Sequence, residues 1–178
     1  MVDIELKNTL VLGGARSGKS IYAEKLVEVF GQGLYLATAT VKESEDDNEM
    51  LQRILKHKKR RGKNWQTIEE PIDIVEVIDL NACSKRPILV DCLTLWLSNL
   101  MLAKKDVEYE VMKLRESLVN ASGPLVLVSS EVGMGIVPSN NIAREFRDYA
   151  GYLHQKLANE CKQVVFVVAG LPMIIKDE

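Results

Sequence analysis

The chain alternates between short runs that are apolar at every position and longer stretches in which apolar residues return every three or four positions. Thr9-Leu10-Val11-Leu12 is the first continuous run, and the spacing of Ala23, Leu26, Val27 and Phe30 predicts a helix over 21–30. Leu34-Tyr35-Leu36-Ala37 predicts a second strand. Residues 41–48 read as a polar, acidic loop, and Met50, Ile54 and His57 give 49–61 a helical period. A short strand over 65–68, a helix over 72–82 and the strand Ile88-Leu89-Val90, ending at Asp91, come next. Helices over 93–103 and 107–121, a strand over 125–128, a long helix over 141–162 and a last strand over 164–168 complete the order. Continuously apolar strands separated by helices predict an α/β fold, a mainly parallel sheet with helices on both faces. In such a sheet ligands lie at the carboxyl ends of the strands.

Composition adds limits to this pattern. A length of 178 residues suits one domain spanning 1–178. The net charge of -2 gives no global electrostatic reason to expect a nucleic acid or an anionic membrane as partner. Cys83, Cys92 and Cys161 are odd in number and widely spaced, which fits free thiols in the cytoplasm better than a disulfide framework or a zinc site. Residues 1–8 lack the apolar core of a signal peptide, and no apolar run is long enough for a membrane span.

The chemistry concentrates at strand ends. Gly13-Gly14-Ala15-Arg16-Ser17-Gly18-Lys19-Ser20 matches the phosphate-binding pattern G-x-x-x-x-G-K-[ST] between a strand and a helix. This identifies a P-loop NTPase-type sheet. The glycines let backbone N–H groups approach a phosphate, Lys19 reaches the terminal phosphates, and the Ser20 hydroxyl helps to hold Mg²⁺. Asp91 closes its strand where a carboxylate can face that ion; capping the next helix, alone or with Thr94, is the alternative role. Lys56-His57-Lys58-Lys59-Arg60-Arg61 has three readings: a solvated basic face, a nucleic-acid patch, or a neutral nucleophilic His57 among cations that attract phosphates. On physical grounds alone the solvated face comes first. Glu69 and Glu70 are either base or ribose contacts or plain loop residues. Glu131-Val132-Gly133-Met134-Gly135-Ile136-Val137-Pro138 is a shaped loop at a strand end, suited to substrate contact, and His154 reads as structural.

Taken in order, these segments resemble one family, the bifunctional adenosylcobinamide kinase / adenosylcobinamide-phosphate guanylyltransferases of cobalamin biosynthesis. The resemblance rests on Leu12 with the glycine loop, Tyr35-Leu36-Ala37-Thr38, Arg53-Ile54 with His57, Lys58 and Arg61, and Trp65, Thr67 and Glu69. It continues through Val90-Asp91-Cys92-Leu93-Thr94, Ser130 with the Glu131 loop, Ala143-Arg144 with Phe146-Arg147-Asp148, and Val167-Val168-Ala169-Gly170-Leu171-Pro172. It implies two reactions. Adenosylcobinamide is phosphorylated by ATP or GTP, and GMP then passes from GTP, through a guanylyl-histidine, to adenosylcobinamide phosphate. The resemblance makes His57 the nucleophile. It makes Ala37, Thr38, Ala39, Lys58, Lys59, Arg60, Arg61, Glu69 and Asp91 nucleotide contacts beside the glycine loop, and it implies a homo-oligomer, a trimer. Two other classes stand against it. A GTP-binding switch needs an N-K-x-D box, which the chain lacks; Asp148-Tyr149-Ala150-Gly151 fits D-x-x-G only inside a helical pattern. A nucleic-acid-linked ATPase would work through the basic run, against the chain's modest net charge.

Overall fold

The fold was analysed in a computed structural model, which describes residues 6–39, 52, 55, 58, 59 and 62–178. Seven strands form one sheet: β1 (Thr9–Gly13), β2 (Gly33–Ala37), β3 (Trp65–Glu69), β4 (Ile88–Asp91), β5 (Leu125–Val128), β6 (Gln163–Val168) and β7 (Leu171–Asp177). Five described helices accompany them: α1 (Lys19–Glu28), α2 (Ile74–Asn81), α3 (Leu93–Leu102), α4 (Val107–Asn120) and α5 (Asn141–Glu160). The predicted loop 41–48 and most of the predicted helix 49–61 lie outside the described residues; Gln52, Leu55, Lys58 and Lys59 within that stretch are helical.

The strand order is β3-β2-β4-β5-β1-β6-β7, parallel throughout except for the antiparallel β6–β7 pair. Alternation within each strand explains the continuous apolar runs. Leu10, Leu12, Leu34, Leu36, Ile88, Val90, Leu125 and Leu127 point to one face, where α2, α3, α4 and α5 cover them. Val11, Tyr35, Leu89, Val126 and Val128 point to the other, where Ala23 and Val27 of α1 meet them. The sheet is therefore buried from both sides, as its sequence pattern predicts.

One element departs from the prediction. β6 is not the last strand; the chain turns back at Ala169-Gly170 and runs antiparallel as β7. Ala169 (φ 50) and Gly170 (φ 81) are both left-handed, which suits a two-residue hairpin. Pro172 argues against a strand in the sequence, but β7 is the sheet's edge, where a missing N–H is tolerated.

Candidate functional site

Three consecutive places in the sheet, the ends of β4, β5 and β1, bring the predicted chemistry together. At β1 the chain enters the loop through Gly13, whose φ is +149 and whose Cβ, if it had one, would stand 2.4 Å from the Val167 carbonyl oxygen. Only glycine fits there. The loop continues through Arg16 at φ 55 and Gly18 at φ 100, and α1 begins at Lys19, two residues earlier than its apolar period suggests. The Ser17 N–H donates to the Gly14 oxygen at 3.3 Å, and the Lys19 ammonium donates to that same oxygen at 2.7 Å. Lys19 is 8% exposed, held across the cradle that it would fill with charge. The Ser17 hydroxyl oxygen is buried with no hydrogen-bond partner among the described residues. The β6–β7 turn braces the loop from behind, since the Gly170 N–H donates to the Ser17 oxygen at 2.8 Å.

Asp91 ends β4, one strand removed from the loop. The Tyr35 hydroxyl donates to its Oδ2 at 2.7 Å, because Ala37 is in register with Asp91 and Tyr35 lies two residues back on β2. This fixes one carboxylate oxygen at the strand end. Helix capping, the alternative role, is not seen: Cys92 is the N-cap of α3, with no side-chain cap bond. Thr94 turns away to accept from the Ser130 N–H at 2.6 Å. Burial, aided by Asp91, pushes the Cys92 thiol up to about 11, which keeps it protonated and unreactive at neutral pH.

At the end of β5 the Glu131 N–H donates to the Gly13 oxygen at 3.0 Å, tying that strand end to the loop. One Glu131 carboxylate oxygen accepts from the Gly133 N–H. The other faces Nδ1 of His154, from α5, at 3.7 Å. His154 Nε2 lies 2.7 Å from the Ser129 hydroxyl, and Ser129 lies 3.2 Å from the Thr94 hydroxyl. Burial holds the imidazole below the usual histidine range, against the pull of Glu131.

The sheet's far edge carries a second group. Lys58 donates to Glu69 at the end of β3 at 2.5 Å, both residues partly exposed. Glu70, alike in sequence, does different work: its Oε1 accepts from the Ile72 and Asp73 N–H groups, each at 2.9 Å, and so starts α2. Thr38 is fully buried, and its hydroxyl both donates to the Cys92 oxygen at 2.8 Å and accepts from the Cys92 N–H at 3.0 Å. Ala37 and Ala39 flank it, partly exposed. Lys59 is exposed on the same helical stretch as Lys58. His57, Arg60 and Arg61 lie outside the described residues.

The loop from Gly13 to Ser20, Asp91 and the start of the Glu131 loop thus lie on neighbouring strand ends, and Lys58 and Glu69 pair two strands further along the sheet. Sequence reasoning missed Tyr35 as partner of Asp91 and Gly170 as brace of the loop. It also missed the Glu131–His154–Ser129–Thr94 contacts. For Thr94, Ser129 and Glu131 the advance signal was position at or beside a strand end; Tyr35 and His154, inside a strand and a helix, carried none.

Comparisons with known proteins follow this geometry. The family model for cobinamide kinase / cobinamide phosphate guanyltransferase matches residues 9–175. A Pseudomonas aeruginosa protein named bifunctional adenosylcobalamin biosynthesis protein CobP is 45% identical over 172 residues, 95% of this chain and 97% of that protein. The Escherichia coli protein named bifunctional adenosylcobalamin biosynthesis protein CobU is 37% identical, covering 94% of this chain and 98% of its own. A solved structure from Pyrococcus horikoshii OT3 superposes with a TM-score of 0.51 at 11% identity, over 98% of this chain and 88% of that one, and supports the fold alone. With a family match that runs from the first residue of β1 to within β7, the chain belongs to the cobinamide kinase / cobinamide phosphate guanyltransferase family.

Proposed function

We propose that one nucleotide-binding domain spanning 1–178 carries out both reactions named by the family, phosphorylating adenosylcobinamide and then transferring GMP from GTP to adenosylcobinamide phosphate. The observation that carries this is the glycine loop with Lys19 laid across it and Asp91 fixed by Tyr35 beside it, in a chain of this family. In the kinase step the loop's N–H groups and Lys19 hold the β- and γ-phosphates of ATP or GTP and stabilise the charge of a loose transition state. The Ser20 hydroxyl and Asp91 Oδ1 are hard oxygen donors that suit Mg²⁺, an ion that takes few protein ligands. No group of three or more His, Cys, Asp or Glu side chains gathers among the described residues, in keeping with so sparse a site. When bound, Mg²⁺ neutralises phosphate charge.

In the transfer step His57 attacks the α-phosphorus of GTP. The N–P bond forms, the bond from the α-phosphorus to the bridging oxygen breaks, and pyrophosphate leaves with the electron pair. The phosphate of the second substrate then displaces His57 and takes the GMP, giving adenosylcobinamide-GDP. Lys58, Lys59, Arg60, Arg61 and Glu69, with Ala37, Thr38 and Ala39 at the end of β2, contact the nucleotide. The Lys58–Glu69 pair supports this edge as part of that site. Exposed apolar side chains on β7, Leu171, Met173, Ile174 and Ile175, support a homo-oligomer, and the family resemblance favours a trimer. No described helix is long and apolar enough to cross a membrane, and the free thiols of Cys83, Cys92 and Cys161 support a reducing compartment, the cytoplasm.

The test is incubation with α-labelled GTP and Mg²⁺, followed by mapping of the acid-labile label. Wild-type protein is expected to carry GMP on His57. His57→Ala should lose the adduct and the second product while still phosphorylating adenosylcobinamide. A label that persists in His57→Ala, or equal loss of both reactions, refutes the assignment of His57.

A further inference from the structure

No step above uses the buried imidazole of His154. Its surroundings form a chain of polar contacts. The Ser130 N–H donates to the Thr94 hydroxyl oxygen, which lies 3.2 Å from the Ser129 hydroxyl. The Ser129 hydroxyl lies 2.7 Å from His154 Nε2 and can donate to it. With Nε2 accepting, the single hydrogen of the neutral ring sits on Nδ1, which faces the Glu131 carboxylate at 3.7 Å. The contacts end on a carboxylate, within ion-pair range of the ring.

That carboxylate stands where phosphoryl transfer needs a base. Glu131 follows β5, the strand between the loop strand β1 and the Asp91 strand β4. Its N–H is bonded to the carbonyl of Gly13, the first residue of the phosphate loop, which fixes its distance from the cradle. Its side chain is 19% exposed, open to a substrate and to solvent, whereas Ser129 (1%) and His154 (7%) are closed off and cannot touch one. The loop that it begins exposes Met134, Ile136 and Val137, an apolar surface beside the carboxylate that suits a large, partly apolar acceptor.

We propose that Glu131 is the base that takes the proton from the acceptor hydroxyl in the kinase step, and that His154, held by Ser129 and Thr94, is the residue that positions it. This rests on the kinase half of the function above. In the step, the acceptor oxygen bonds to the γ-phosphorus as the bond to the β,γ-bridging oxygen breaks. The nucleoside diphosphate leaves with that electron pair, and the hydroxyl proton goes to the Glu131 carboxylate and from there to solvent. No oxidant or further reactant is needed.

Three variants test this, with kinase turnover and α-labelled GMP incorporation measured on each. Glu131→Gln keeps the acceptor for the Gly133 N–H but is no base. It is expected to lower kinase kcat about 10²–10⁴-fold with little change in the nucleotide KM. GMP labelling should continue, which reports an intact fold and nucleotide site. His154→Gln retains a partner for Ser129 but places no donor at Nδ1, and its kinase kcat should fall about 10-fold or more. His154→Asn places its amide near Nδ1 and should recover most of that loss. A Glu131→Gln enzyme with near-wild-type kcat overturns the base assignment. Equal losses for His154→Gln and His154→Asn overturn the positioning role. A wild-type enzyme with no kinase turnover overturns the functional reading itself, and this assignment with it.

Discussion

The centre of the sheet and its β3 edge both collect charged groups at or beside strand ends, yet they are built differently. At the centre, Lys19, Asp91 and Glu131 sit on adjoining strand ends, and each has a partner fixed by the backbone or by a buried ring: the Gly14 carbonyl, the Tyr35 hydroxyl, the Gly133 N–H and His154. At the edge, Lys58 and Glu69 form an ion pair with each other, and both are open to water. Groups at the centre are positioned by the fold before any ligand arrives. Groups at the edge stand partly in water, where a ligand can reach them.

The largest effect that can break this comparison is at Gly13. Gly13→Ala puts a methyl group 2.4 Å from the Val167 carbonyl oxygen and 2.7 Å from the Ser17 hydroxyl, at a φ of +149. Overpacking and backbone strain together should cost roughly 2–5 kcal/mol, read as a lower denaturant midpoint at unchanged slope. Gly14 supplies the control, since a Cβ there meets nothing within 4 Å, and Gly14→Ala should leave stability nearly unchanged. If the two variants were equally stable, the centre would not be rigid in the sense argued.

How far these features could be read from the chain follows the same division. The glycine loop was readable because its geometry is local: eight consecutive residues carry the whole pattern. Strands β1, β2, β4 and β5 were readable because both of their faces are apolar. Tyr35 with Asp91 was not, because the pair depends on the register of two strands 56 residues apart. His154 with Ser129 was not, because it depends on how α5 packs under the sheet. β7 was not read, and its Pro172 is explained by the fold alone, which makes the strand an edge. Glu70 lies beside Glu69 in the chain, yet one of its carboxylate oxygens is bonded to the start of α2. Residue type and position alone did not separate it from Glu69, which pairs with Lys58.

A smaller effect sharpens the picture of the centre. His154 has a folded-state pKa below its ordinary value of 6.5, with burial as the leading cause. The unfolded chain therefore binds a proton first as pH falls. Stability that is present above about pH 6.5 is lost as pH drops below it, until the folded value is reached, at up to about 1.4 kcal/mol per pH unit. His154→Asn removes that group, so the stability difference between wild type and variant should shift against the wild type between roughly pH 7.5 and 5.5. Chemical denaturation at the two pH values measures it. His57 is common to both proteins and cancels. A difference independent of pH would mean that burial does not hold the ring neutral.

The smallest expected effect on stability is at the edge, and it bears most directly on function. Lys58 and Glu69 form a partly exposed ion pair, with side chains 38% and 28% exposed. Such pairs stabilise a fold by about 0–1 kcal/mol, because two long side chains lose freedom and water screens the attraction. A double-mutant cycle with Lys58→Ala and Glu69→Ala should therefore give a coupling energy below about 1 kcal/mol, shrinking as salt is raised. GTP affinity should respond more strongly. A cation that meets a phosphate makes a charge-assisted hydrogen bond of about 1.5–3 kcal/mol, so Lys58→Ala should weaken GTP binding by roughly tenfold or more. Glu69→Ala releases Lys58 from this ion pair while removing the contact proposed for Glu69, so its effect on affinity should be smaller than that of Lys58→Ala. A large stability coupling with unchanged GTP affinity would place this pair with the structural contacts of the centre. The β3 edge would then be a brace, and the nucleotide would have to be held by the phosphate loop without it.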